Sequence, residues 1–220
     1  MTDYPTKRDY ADQVDLDDSL DQIPGQDTLD ETVQNLKDHG FNVHTVETGD
    51  KALEIIEDLI PDGSTVNNGH STTLEEIGFI DLLKSGNHSW VNLKQEILNT
   101  DDPEEQQRKR HRHTASDYFL GSVNAIAKTG ELVAADASGS RVGGYPFAAQ
   151  NVIIVAGANK IVKDLETARK RLKEYAYPLE NERAQDAYGT ESTVAKEFIF
   201  HQETIEDRTT VILINDNLGF

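Results

Sequence analysis

The run Val152-Ile153-Ile154-Val155, closed by Gly157 and followed from about Lys160 by a helical pattern, constrains the fold more than any other stretch. Consecutive β-branched residues suit a strand buried on both faces, and such strands belong to parallel sheets covered by helices. The chain before this run keeps the same rhythm. Leu29, Val33 and Leu36 recur at helical spacing up to Gly40, and Phe41 to Val46 alternates as a strand. Thr48-Gly49-Asp50 opens a second helix with Leu53, Ile56 and Leu59 on one face, ended by Pro61-Asp62-Gly63. Ser64-Thr65-Val66 reads as a short strand running into Asn67-Asn68-Gly69-His70-Ser71-Thr72-Thr73, and Thr72 with Glu75 fits a capping box for the next helix.

Further on, Trp90 to Leu98 is of undecided type, and Pro103 followed by Glu104 and Glu105 starts a helix running to about Asp117. Ser122 to Ala127 and Leu132 to Ala137 read as a hairpin joined by Lys128-Thr129-Gly130-Glu131, with glycine where a positive φ is needed. From Ile161 the positions Val162, Leu165, Ala168, Leu172 and Tyr175 trace an amphipathic helix for which Asn159 is a suitable N-cap. Residues 178–192 are polar and read as irregular, and Phe198 to Phe200 and Val211 to Ile214 are the last strands. Strand and helix in alternation predict an α/β fold: a three-layer αβα domain with a mostly parallel sheet and an inserted β-hairpin. That domain covers 28–220. Residues 1–27, Asp-rich with Pro5, Pro24 and Gly25, read as an acidic, partly disordered arm from which Val14, Leu16 and Leu20 can still dock.

Charge and composition exclude several functions. There is no cysteine, so disulfides, thiolate metal sites and Cys nucleophiles are ruled out within the chain. No apolar stretch approaches the roughly 18 residues of a membrane span and no signal-peptide core is visible, so a cytoplasmic protein is expected. The net charge of −19 disfavours nucleic acid, because a polyanion must be met by cations. Residues 1–30 hold nine Asp against Lys7 and Arg8, which places −7 there and −12 elsewhere. Acidity spread in this way is halophilic in character. It predicts that the melting temperature rises from dilute buffer to molar KCl, where repulsion is screened beyond about 3 Å. A flat or falling melting curve would reject that reading and leave the fold untouched.

Two βα loops and the hairpin exit supply the candidate site. Ligands of open α/β sheets bind beyond the carboxyl ends of the strands, near helix N-termini. His70, Ser71, Thr72 and Thr73 follow one strand, and Asn159 and Lys160 follow another. Asn124, Asp136 and Arg141 are polar residues set beside apolar alternation, so each either faces solvent or lines a pocket. In the functional reading Asp136 is a general base or hydroxyl acceptor, and Arg141 and Lys160 anchor a carboxylate or phosphate. In the bland reading Asp136 and Arg141 are an ion pair at the hairpin. The basic run Arg108 to His113 is either a solvated helix face or an anion clamp, and on a helix His111 and His113 diverge, so no metal site is expected.

SVNAIAKTGELVAADASGSRVGG, VIIVAGANKIVKDLETARKRLKEYA, VILINDNLGF and NNGHSTTLEEIG together resemble the lactate-utilisation (LUD, DUF162) domain family over roughly residues 28–220. The resemblance implies a fold like that of ribose-5-phosphate isomerases and CoA transferases, and a role in bacterial and archaeal lactate oxidation. The family pattern after the Asp is a small-residue loop with Gly-Asn-Arg. Here Gly139-Ser140-Arg141 departs from it, which weakens any role carried over to position 140. Related chains often have a cysteine-rich segment near 178–192. Its absence means that no redox or metal role carries over, and no cofactor is identified. Two functions stay open: binding of a small anionic metabolite, or a non-catalytic subunit docking redox partner proteins in a lactate-oxidation complex. Whether the chain forms a homo-oligomer also stays open.

Overall fold

The computed structural model describes residues 4–220. Its elements in chain order are α1 (Arg8–Ala11), α2 (Gln26–Asp38), β1 (Asn42–Val46), α3 (Gly49–Leu59), β2 (Thr65–Asn68), α4 (Thr72–Glu76) and α5 (Phe79–Ser85). Then come β3 (Val91–Asn92), α6 (Leu93–Leu98), α7 (Pro103–His113), β4 (Tyr118–Gly121), β5 (Ala125–Ala127), β6 (Leu132–Asp136), β7 (Asn151–Gly157) and β8 (Ile161–Val162). The last are α8 (Leu165–Arg171), α9 (Tyr177–Tyr188), β9 (Lys196–Phe200) and β10 (Thr209–Ile214).

Six strands form a sheet in the order β1-β10-β7-β4-β2-β3, every pair of it parallel. The period-2 alternation divides its side chains between two cores. Val152, Ile154 and Ala156 of β7 and Val211 and Leu213 of β10 face α2 and the hairpin, with Leu36, Ile126, Leu132 and Phe200. Ile153, Val155, Ile212 and Ile214 face the other way, onto Ile56, Leu74, Phe79 and Trp90 of the helical layer. Burial on both faces is why these strands read as unbroken apolar runs. The expected three-layer α/β architecture is the one observed.

The hairpin β5–β6 turns at Gly130, whose φ of +110° demands glycine, and it belongs to a second sheet of order β8-β5-β6-β9. The far side of that sheet packs Ala125, Ala127 and Val133 against Ala168 of α8 and Leu172. Of the first strand expected from Ser122 to Ala127, only Ala125–Ala127 is strand, as β5; Ser122-Val123-Asn124 is the crossing to it from β4, a main-sheet strand just before the expected one.

Three local expectations need correction. Ser71, not Thr72, caps α4, accepting the Leu74 N–H at 3.3 Å. Asp164, not Asn159, caps α8 through Thr167 N–H at 2.8 Å, because a 3₁₀ turn (Ala158–Lys160) and β8 intervene. Residues 178–188 are helical. After a π turn at Leu172–Ala176, Pro178 sits where its missing N–H does no harm, and Leu179, Arg183 and Ala184 repeat a buried stripe on α9.

The N-terminal arm is tied down from its described start. Tyr10 and Leu20 are buried with Tyr175, Leu179 and Phe220, and Val14 and Leu16 pack beside them. Asp21 is the hub. It accepts hydrogen bonds from Lys7 Nζ (2.6 Å), Arg171 Nη2 (2.8 Å), Asn159 Nδ2 (2.8 Å) and Asn217 Nδ2 (3.0 Å). Arg171 is wholly buried and also donates to the Leu20 and Asn124 carbonyls, joining arm, helix and hairpin. Among the described residues, no helix is long and apolar enough to cross a membrane.

Candidate functional site

The register places the carboxyl ends of β2, β4, β7 and β10 along one edge, with Asn68 beside Leu120 and Gly121 beside Ile154. Chain leaving those ends, with residues of α6, α7 and α9, lines a cavity of about 320 Å³. Of the residues read as a site in the sequence, it brings together His70, Ser71, Thr72, Thr73, Asn124, Asp136, Arg141 and Lys160. Asn159 lies outside it. Its amide donates to Asp21 and its carbonyl accepts the Leu218 N–H at 3.0 Å, so it joins the arm to the segment after β10.

Lys160 is fully buried at the inner end. Its Nζ lies 3.0 Å from Thr73 Oγ1, 3.0 Å from Ser122 Oγ, 3.1 Å from the Val123 carbonyl and 3.4 Å from the Phe220 main-chain oxygen. Burial pushes its amine well below the ordinary lysine value, and Arg171, Lys7 and Arg141 push the same way against Glu76. The segment after β10 forms the wall here. Gly219, at φ +59°, lies so close that a Cβ would overlap Thr73 Oγ1 and come within 3.1 Å of Lys160 Nζ, while its N–H donates to Glu76 Oε2 at 2.6 Å. Burial raises the Glu76 carboxyl above its usual value despite that bond.

Asp136 holds the loop after β6. Its Oδ2 accepts the N–H groups of Arg141 (2.7 Å) and Val142 (3.2 Å), so the carboxylate bonds the Arg141 backbone and makes no salt bridge with the guanidinium. Arg141 instead donates from Nη2 to the Ala135 carbonyl, and its stem lies on Gly69, where a Cβ would stand 2.7 Å from Arg141 Cγ. Glycine at position 69 is what lets the arginine lie across the loop. Asn124 accepts the Ala135 N–H at 2.9 Å and so braces the two strands of the hairpin. His70 faces Glu75 at 3.5 Å.

Three cavity cations, Lys94, Arg110 and Arg141, have no Asp or Glu carboxylate within 4.0 Å among the described residues. Lys94 was not singled out in the sequence, and Arg110 lay in the basic run read either as a solvated helix face or as an anion clamp. The basic run splits by face. Arg108 and Arg112 pair with Glu105, whereas Arg110 turns to the cavity near Lys94. A signal existed, since Arg110 has Gln106 and Gln107 where Arg108 has Glu104 and Glu105. His111 and His113 do diverge: His111 Nε2 meets Gln107 at 2.9 Å and His113 Nδ1 meets the Leu93 carbonyl at 3.3 Å. Two polar atoms at the cavity, Asn68 Oδ1 and Thr72 Oγ1, are buried without a hydrogen-bond partner, an arrangement that calls for a ligand or water.

Comparison with known proteins gives a consistent picture. A search of curated proteins finds no match. Among solved structures, a DUF162 family protein from Deinococcus radiodurans shares the fold, with a TM-score of 0.52 and 11% identity, over 87% of this chain and 100% of that one. The LUD domain model matches residues 29–214, most of the chain, so the protein belongs to the LUD domain family, whose association with lactate utilisation holds for the family in general.

Proposed function

We propose that the cavity binds a small anionic metabolite, a carboxylate or phosphate that also carries a hydroxyl, within lactate or other organic-acid utilisation. One observation carries the reading: three cations without Asp or Glu partners, Lys94, Arg110 and Arg141, converge on one cavity of a chain whose net charge is −19. A local reversal of potential in an acidic protein concentrates anions. Asn68 supports the hydroxyl. Its Nδ2 donates to the Gly69 carbonyl at 2.8 Å, so the unpartnered Oδ1 accepts, and a ligand hydroxyl is a donor that suits it.

Calorimetric titration with lactate, other 2-hydroxy acids and inorganic phosphate tests this. At least one is expected to bind saturably, and Arg141→Ala to weaken it by about 1–3 kcal/mol, the scale of a charge-assisted hydrogen bond. Equal affinity in wild type and variant, or no binding by any of them, would refute the reading. The alternative, a non-catalytic subunit docking redox partners, draws support from Phe147, 83% exposed beside exposed Pro146 on the turn before β7. One aromatic is a point of contact, and the polar cavity favours the metabolite reading.

A further inference from the structure

We infer that Ser122 and Lys160 form a nucleophile–base dyad that acts on small anionic acyl esters, with Thr73 positioning both. This rests on the anion-binding reading above for the charge of the substrate, and on separate geometry for the chemistry.

Nucleophilic serine requires a base within hydrogen-bond reach, held by further contacts. Lysine fills that role in some hydrolases, in place of histidine. Here Ser122 Oγ and Lys160 Nζ are 3.0 Å apart, both buried and both lining the cavity. Thr73 Oγ1 closes the group, 3.0 Å from the amine and 3.4 Å from Ser122 Oγ. The three nearest contacts suit both protonation states, with the Phe220 oxygen farther off at 3.4 Å. A neutral amine donates to Thr73 Oγ1 and the Val123 carbonyl and accepts the Ser122 hydroxyl; an ammonium donates to all three. A proton can therefore move between Ser122 and Lys160 with no side chain changing place. Burial favours the neutral form that a base needs, and the charges of Arg171, Lys7 and Arg141 add to it against Glu76.

The reaction balances with water as the only co-reactant. Ser122 Oγ bonds to the acyl carbon as its proton passes to Lys160. The bond to the leaving alkoxide breaks, and Lys160 returns that proton to it. Water then takes the acyl group from Ser122 in a second turn of the same transfers, and Lys160 is neutral again. Thr72 Oγ1, buried at the cavity without a partner, is a donor for the oxygen that gains charge.

The test uses the whole chain with 4-nitrophenyl acetate and with the anionic 4-nitrophenyl succinate, followed by nitrophenolate release and peptide mass spectrometry. An acyl adduct on Ser122 is expected, with release falling about 100-fold or more in Ser122→Ala and Lys160→Met. If Lys160→Met fails to fold, the wild-type pH profile decides. Release should rise with pH and level off well below the ordinary lysine value of about 10.4. A rate that parallels uncatalysed hydrolysis up to about pH 10 overturns the dyad, and so does an adduct on Thr73 or Lys160 in place of Ser122. Succinate-ester binding without an adduct would also overturn it and leave the anion-binding reading intact. Acylation of Ser122 with no preference for the anionic ester would do the reverse.

Discussion

Replacing Asp21 by alanine is expected to destabilise the protein by about 3–5 kcal/mol, the scale of leaving one partner of a buried ion pair behind. Arg171 has no exposed surface, so without the carboxylate its guanidinium keeps only carbonyl partners, and Lys7 and the amides of Asn159 and Asn217 lose an acceptor. Urea unfolding monitored by circular dichroism would read the loss as a lower midpoint with an unchanged slope. The pH dependence gives a second check. Burial opposes the charge on Asp21, but the bonds from Lys7 and Asn159 outweigh it and hold the carboxyl below its usual value. A depressed carboxyl contributes fully above its unfolded pKa of about 3.9 and less as pH falls through the folded one. The gap between wild type and Asp21→Ala should therefore be widest near neutrality and shrink below about pH 4. An equal gap at both ends would mean that the loss comes from packing and not from charge.

Gly219→Ala carries the second large expectation, about 3 kcal/mol or more. A non-glycine residue in left-handed backbone costs about 1–2 kcal/mol, and forcing a methyl into a filled site typically adds about 1–3 kcal/mol. The added Cβ would overlap Thr73 Oγ1, whose own place is fixed by Lys160. Relief requires the segment after β10 to lift, which breaks the Gly219–Glu76 and Leu218–Asn159 bonds. Gly63→Ala is the control: its φ of +79° is also left-handed, but nothing lies within 4 Å of the added Cβ. The difference between the two variants should report the clash alone. Similar losses in both would show that the inner wall has room to give.

How much of this was legible in the sequence follows from what each segment packs against. β7 and β10 were readable because two-sided burial writes continuous β-branched runs, and the hairpin because Gly130 marks its turn. β4 was hidden because the crossing Ser122-Val123-Asn124 that separates it from β5 is short and continues the apolar alternation into the hairpin. α9 was hidden because most of its face is solvated, and its buried stripe includes Arg183, which pairs with Glu180 and reads as polar. The site residues that could be named were those in the βα loops and at the hairpin exit, where local rules apply. Lys94 and Arg110 reach the cavity from helices, and Gly219 from the segment after the last strand, so their roles depend on long-range packing.

The strand order carries a consequence for how the chain is made. β1 bonds only to β10 within its sheet, and β10 is also the link between β1 and β7. During synthesis β1 leaves the ribosome early, yet the strand it must pair with emerges last of the ten. Until then its edge is unpaired, and β7 offers a second open edge in the gap. Parallel pairing across so long a separation is slow to form, and open edges invite association with other chains. The acidic segment that precedes β1 emerges before it, and its like charge on neighbouring nascent chains opposes such association until β10 arrives.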